Sequence, residues 1–239
     1  MPPTLHATIV NAGAKAGIQY IMPNAYGYDI LNHRLNDDFV YGPVTKQAVK
    51  DVESSGADYI VLCCGFWYEW SLPGGENMLG FDMDSKKTVF FDDGNTRINS
   101  STLTQCGRAV AALLALPVKK EAADKPALED WKNKGMYISS FLVSQRDILD
   151  SLHRNMGTAD SDWTIVHEGS KERTEAALVE LQKGDFSAFP RALYTRVFYP
   201  NGDGDYETSR GLDNGALGLE KEDLDECTKI VLKLKARGE

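Results

Sequence analysis

Ala57-Asp58-Tyr59-Ile60-Val61-Leu62-Cys63-Cys64-Gly65-Phe66-Trp67-Tyr68-Glu69-Trp70-Ser71-Leu72 is the stretch that decides the fold. Residues 59–64 form a continuous apolar run with no polar alternation. Such a run suits a strand buried on both faces, as in a parallel sheet covered by helices. Gly65 breaks it, and four aromatic rings around Glu69 follow at once. In open α/β sheets, ligands bind in the crevice at the carboxyl ends of the strands. An aromatic box there would wall a pocket. The same composition would also serve as a hydrophobic lid sealing the sheet edge.

The flanking sequence supports a parallel sheet. Pro43 suits the first turn of a helix that runs to about residue 54, with Val44, Ala48 and Val49 facing inward and Gly56 as its stop. Further upstream, Thr4 can cap a helix whose Leu5, Ile9, Ala12 and Ala16 share one face, ended by Gly17. Residues 18–22 then form a short strand stopped by Pro23. Residues 5–64 therefore read helix, strand, loop, helix, strand, which is α/β alternation. The loop of residues 24–42 is long enough to be functional.

Downstream, residues 81–83 and 88–91 read as two short strands around a turn at 84–86. Ser101 or Thr102 caps a helix with Leu103, Cys106, Val110, Leu113 and Leu114 at helical spacing, ended by Pro117. Residues 118–130 read as a solvated connector. Residues 135–141 and 162–166 read as strands, with a helix capped by Ser144 between them. Helices follow at 171–183 and 186–199. A last amphipathic helix, 221–236, has Leu224, Cys227, Ile230, Val231 and Leu234 on its apolar side.

At 239 residues the chain can bury a sizeable core. Its apolar and charged fractions, 42% and 26%, are those of an ordinary globular protein. A net charge of −9 argues against nucleic acid or an anionic membrane as partner, since both reward basic patches. No apolar run reaches the ~18 residues of a membrane span, and the first residues lack the basic start and apolar core of a signal peptide. Cys63, Cys64, Cys106 and Cys227 form no C-x-x-C and no zinc pattern. Reduced, mostly buried thiols in a cytoplasmic protein, with no metal site, are expected.

Few residues announce chemistry. Lys46 could donate hydrogen bonds to a ribose or carbonyl oxygen, and desolvation would fit it for proton transfer. A lysine in the first turns of an amphipathic helix is also an ordinary solvated charge. Tyr41 stands five residues before it, so the one-turn Tyr-x-x-x-Lys dyad is absent. Glu69 could orient a substrate hydroxyl or be a buried acid satisfied by a backbone amide. His6, His33, His153 and His167 are scattered, and no G-x-S-x-G occurs. The run 201–207 mimics a calcium loop but has Tyr206 where glycine is required and Leu212 where glutamate is required. No G-x-G-x-x-G follows a strand, so on its own terms the chain should grip a dinucleotide poorly.

Three segments carry a family pattern. Residues 8–30, TIVNAGAKAGIQYIMPNAYGYDI, resemble the helix, strand and Pro-x-x-[FY]-Gly segment of the NmrA-like, isoflavone-reductase-like family. Residues 41–72 resemble the family's next helix and strand, with Lys46 at its lysine. Residues 90–117 resemble its following strand, turn and helix, closest to fungal members. The resemblance implies an atypical short-chain dehydrogenase, with a Rossmann-like parallel sheet and a smaller α+β substrate domain. The boundary falls near residue 78: residues 1–78 are the C-terminal part of the NAD(P)-binding domain. Residues 79–239 are mostly substrate domain, with some segments returning to the sheet. The family's G-x-x-G-x-x-G and its first βα units find no counterpart, so the sheet is expected to lack its first strands. That is about 70 to 90 residues at about 30 per βαβ unit.

The resemblance also implies NADP(H) as cofactor and NAD(P)H-dependent reduction of a small organic substrate. Lys46 would be the catalytic lysine. Pro23, Asn24, Tyr26, Lys46, Gly65 and Phe66 would line the cofactor, and Trp67, Tyr68, Glu69 and Trp70 the substrate. The family also contains non-enzymatic NAD(P)-sensing regulators that bind a protein partner, and an inactive fragment is a third expectation.

Overall fold

The computed structural model describes residues 3–238. In chain order the elements are helix α1 (Pro3–Lys15), strand β1 (Tyr20–Ile21), helices α2 (His33–Asp38) and α3 (Gly42–Ser55), and strand β2 (Asp58–Cys63). Strand β3 (Phe66–Trp67), helix α4 (Tyr68–Ser71), strands β4 (Phe81–Asp82), β5 (Lys87–Phe91) and β6 (Ile98–Ser101), and helix α5 (Leu103–Leu114) follow. The rest comprises β7 (Lys134–Tyr137), β8 (Phe141–Val143), α6 (Gln145–Met156), β9 (Thr164–Glu168), α7 (Ser170–Gln182), α8 (Phe189–Val197), α9 (Tyr206–Arg210) and α10 (Leu224–Arg237).

β2 is the spine. It pairs in parallel with β1 on one edge and with β7 on the other, giving the order β1-β2-β7. Its unalternating apolar run is buried from both sides. Ile60, Leu62 and Cys64 join one core with Ala109 and Leu113 of α5. Val61 and Cys63 join a second with Leu35, Phe39 and Phe66. The adjacent cysteines thus point to opposite faces, as the period of a strand requires. Two further sheets complete the fold: β3-β6-β8, and β4-β5-β9, in which β4 and β5 form the expected hairpin.

The expected strand 135–141 is two strands in different sheets. β7 ends at Tyr137 and β8 begins at Phe141. Between them the Ser139 hydroxyl donates to the Phe141 carbonyl at 2.7 Å, a local bond that competes with a continuous ladder and bends the chain. β6 was not expected because three of its four residues are polar, yet all four are buried. The Ser100 hydroxyl donates to the Phe66 carbonyl at 2.7 Å, and the Asn99 amide donates to Ser139 Oγ at 3.1 Å. The expected helix 186–199 is a 3₁₀ turn, Phe186–Ala188, followed by α8, with Phe186 exposed.

Several apolar stripes face outward. Leu5, Ile9 and Ala12 of α1 and Ala16 just beyond it are exposed, and Val10 is the helix's buried contact. Thr4 lies inside α1 instead of capping it, and Met1 and Pro2 lie outside the described residues. In α3, Val44 is exposed while Thr45 is buried. In α5, Leu103 and Leu114 are exposed and Gln105 is buried; in α10, Ile230 is exposed and Thr228 is buried. In α3, α5 and α10 a polar side chain occupies the inward stripe because a tertiary partner satisfies it. Thr45 donates to Asn36 Oδ1, Gln105 to the Glu220 carbonyl, and Thr228 Oγ1 lies 2.7 Å from Tyr68 Oη. Thr102 and Ser144 cap their helices as expected.

Candidate functional site

The loop after β1 is fastened to the end of β2. Gly27 bridges Cys63, and its carbonyl accepts the N–H groups of Cys64 at 2.8 Å and Gly65 at 3.0 Å. Gly65 has φ +66°, and a Cβ there would stand 2.1 Å from the Asn99 carbonyl oxygen, so only glycine lets the end of β2 approach β6. Asp29 is buried behind the loop and fixes it. Its carboxylate accepts from the Leu31 N–H at 3.0 Å, the Tyr137 hydroxyl at 3.1 Å and Arg210 Nε at 3.2 Å.

In front of this loop lies a cavity of about 200 Å³, at the carboxyl ends of β1 and β2. Residues 24–28 form its floor, and Tyr41, Thr45 and Trp67 its walls. Three buried side chains meet there. Tyr28 Oη donates to Asn36 Oδ1 at 2.7 Å, Thr45 Oγ1 donates to the same oxygen at 3.0 Å, and the two hydroxyls are 3.3 Å apart. Burial pushes the Tyr28 phenol well above its ordinary value, and the Thr45 hydrogen bond offsets only part of that. The cavity is thus a neutral, hydroxyl-bearing aromatic pocket. Burial likewise raises the Tyr26 phenol on its rim.

The expected site residues divide. Asn24, Tyr26 and Trp67 line the cavity. Pro23 is buried and does not line it. Lys46 is one residue beyond Thr45 on the outer side of α3, where its ammonium pairs with exposed Asp37. That pairing, with help from nearby His33, holds the Asp37 carboxyl below its ordinary range. Phe66 stacks on Tyr194 with ring centroids 4.0 Å apart, and with Gly65 it borders a much smaller void beside Asp29. Tyr68 is fully buried.

Glu69 and Trp70 turn away to a different groove, beside Leu103, Met78 and Leu234. Burial raises the Glu69 carboxyl, although the Leu103 N–H donates to it at 2.9 Å. Tyr28, Asn36 and Thr45 escaped the sequence reading, because nothing in their spacing shows that they converge. Among the described residues, no cluster of three or more His, Cys, Asp or Glu could hold a metal ion. No described helix is long and apolar enough to cross a membrane.

No protein-family model matches the chain. It is 26% identical over 233 residues to the Aspergillus flavus oxidoreductase aprR, an alignment that covers 95% of this chain and 72% of aprR. Among solved structures it superposes on AtPrR2 in complex with NADP+ and (+)pinoresinol, with a TM-score of 0.70, 13% identity, and 96% and 70% of the two chains covered. It also superposes on an isoflavone reductase with a TM-score of 0.67 and 18% identity, covering 96% of this chain and 71% of that one. The chain thus shares the Rossmann-type α/β fold of these solved structures, and its sequence is similar to that of a fungal oxidoreductase.

Proposed function

We propose that the chain is the substrate-facing part of an NAD(P)H-dependent reductase acting on a small carbonyl compound. The observation that carries this reading is the cavity of Tyr26, Tyr28, Tyr41, Thr45 and Trp67 at the carboxyl ends of β1 and β2. This is where open α/β sheets bind ligands. The residues present fit the nicotinamide end of a dinucleotide. Trp67 and the tyrosines offer flat walls to a ring, and Asn24 offers an amide partner for a carboxamide. None of the lining residues is cationic, so they give no grip on a pyrophosphate.

When bound, NAD(P)H supplies the hydride. The chain's own residues orient the acceptor and exclude water. Tyr28 and Thr45, whose hydroxyl protons go to Asn36, stiffen the pocket beside the acceptor, and the Asn24–Tyr28 loop closes one side. Lys46, paired with Asp37 in this structure, would leave that carboxylate to hold a ribose hydroxyl or to give the proton that turns the alkoxide into the alcohol. An exposed ion pair of this kind is readily exchanged. The two-part domain organisation, with its boundary near residue 78, belongs to the same proposal, with β7 returning beside β2.

The test is NADPH oxidation with a panel of small aromatic and aliphatic carbonyl compounds, together with NADPH titration by fluorescence. Turnover that is lost in Lys46→Ala, with circular dichroism unchanged, supports the reading. NADPH binding without turnover on any member of the panel sinks it.

A further inference from the structure

The hydroxyl-lined cavity is not closed on every side. Tyr26 and Trp67 line it, and the same two side chains line a second, larger hollow of about 510 Å³. That hollow runs along α5, walled by Met22, Leu62, Leu103, Val110 and Leu114. Its character is the opposite of the first. The cavity ends in the Tyr28 and Thr45 hydroxyls, whereas the groove is walled almost wholly by aliphatic and aromatic groups. Leu103 and Leu114 lie 49% and 70% exposed at its two ends, although they belong to the apolar set of α5. From Leu103 to Leu114 the helix rises about 16 Å.

We propose that cavity and groove form one site for an amphiphile, with a small polar head in the cavity beside the Asn24 amide and an unbranched apolar tail laid along α5. This rests on the reductase reading only for the chemistry at the head; the division into head and tail follows from the shared Tyr26–Trp67 wall. The head compartment of about 200 Å³ is below the range of ordinary small-molecule pockets, and the joined space falls inside it. A tail of about a dozen carbons matches the helix length. A purely polar substrate would leave the groove wet, and a purely apolar one would take the Asn24 amide from water without giving it a partner.

Gly107 supplies a clean perturbation. It lines the groove, and a Cβ built there meets nothing within 4 Å. Gly107→Leu therefore starts its side chain in open space and directs it into the groove, and it improves helix propensity. The experiment titrates the full chain with straight-chain methyl ketones, from hexanone to dodecanone, following tryptophan fluorescence. NADPH oxidation is measured on the same series.

The wild type should bind each longer ketone about three- to fourfold more tightly per added methylene. Gly107→Leu should lose this dependence, keep its affinity for hexanone, and melt no lower than wild type. Trp67→Phe tests the shared wall: it should keep the chain-length dependence while losing most of the fluorescence response. Equal affinity for hexanone and dodecanone in the wild type, or an unchanged series in Gly107→Leu, overturns the proposal. Chain-length-dependent binding with no turnover keeps this site and removes the reductase reading. Turnover with no chain-length dependence does the reverse.

Discussion

Asp203→Asn is the substitution whose effect can be worked furthest from the structure. The Asp203 side chain is fully buried. Its Oδ1 accepts from Asn32 Nδ2 at 3.0 Å and Arg34 Nε at 2.8 Å. Its Oδ2 accepts from the Arg196 guanidinium and from Asn201 Nδ2, both at 2.9 Å. Arg196 is itself 3% exposed, with Nε and a second guanidinium nitrogen unpartnered. Neutralising Asp203 leaves a buried cation short of its counter-charge, which costs about 3–5 kcal/mol when a buried pair is broken from one side. Arg196 keeps Asp38 at 3.1 Å and Arg34 is 62% exposed, so the lower end, about 3 kcal/mol, is expected. For a chain of this size that is a fall in melting temperature of about 6 to 12 °C.

Burial opposes ionisation of Asp203, but the hydrogen bonds from Arg34, Arg196 and Asn32 outweigh it, and the carboxyl sits below its ordinary value. A depressed folded-state pKa means stability that is complete above the unfolded-state value and is lost as pH falls through the folded-state value. Urea denaturation between neutral and acid pH is the assay. The variant should be weaker at neutral pH and show a shallower loss on the acid side. A loss below about 1 kcal/mol at neutral pH, or an identical acid slope, would refute the account. The consequence reaches the cavity, because Asp203 holds α2 through Asn32 and Arg34, and α2 carries the Asn36 that fixes Tyr28 and Thr45.

Gln145→Leu should cost at least about 3 kcal/mol in the same denaturation assay, because the buried amide donates to the Leu79 and Val89 carbonyls and accepts from the Phe91 N–H. Lys46→Ala should leave the melting curve unchanged, since its partner among the described residues is an exposed carboxylate, while abolishing NADPH oxidation; a parallel loss of fold would make the lysine structural. Glu69→Gln should relieve a pH-dependent weakness. Burial raises the Glu69 carboxyl, so folding favours the protonated form and stability drops as pH rises through the folded-state value. The glutamine variant should gain on wild type toward neutral pH, read by melting at graded pH, and equal curves would discard the idea. Phe66→Leu should lower stability through loss of the Tyr194 stack without altering ligand affinity, which calorimetry with a bound ketone can separate.

The sequence by itself determined the parallel sheet. Residues 59–64 are apolar without alternation, and a strand covered on both faces buries such a run; Pro43 then sets where the preceding helix starts, and Gly56 and Gly65 where helix and strand stop. It also pointed to the carboxyl end of that strand, where Trp67 and residues 24–28 line a cavity. What the sequence could not decide was direction. Thr45, Gln105 and Thr228 face inward, and Val44, Leu103 and Ile230 face outward, because partners far along the chain satisfy the polar groups. Residue type measures the cost of burying a group alone; tertiary hydrogen bonds cancel that cost, and no local pattern records them. For the same reason the aromatic box of residues 66–70 read as one wall. Alternation along β3 and the turn of α4 sent Phe66 and Tyr68 into the core, Trp67 to the cavity, and Glu69 and Trp70 to the groove between Leu103 and α10.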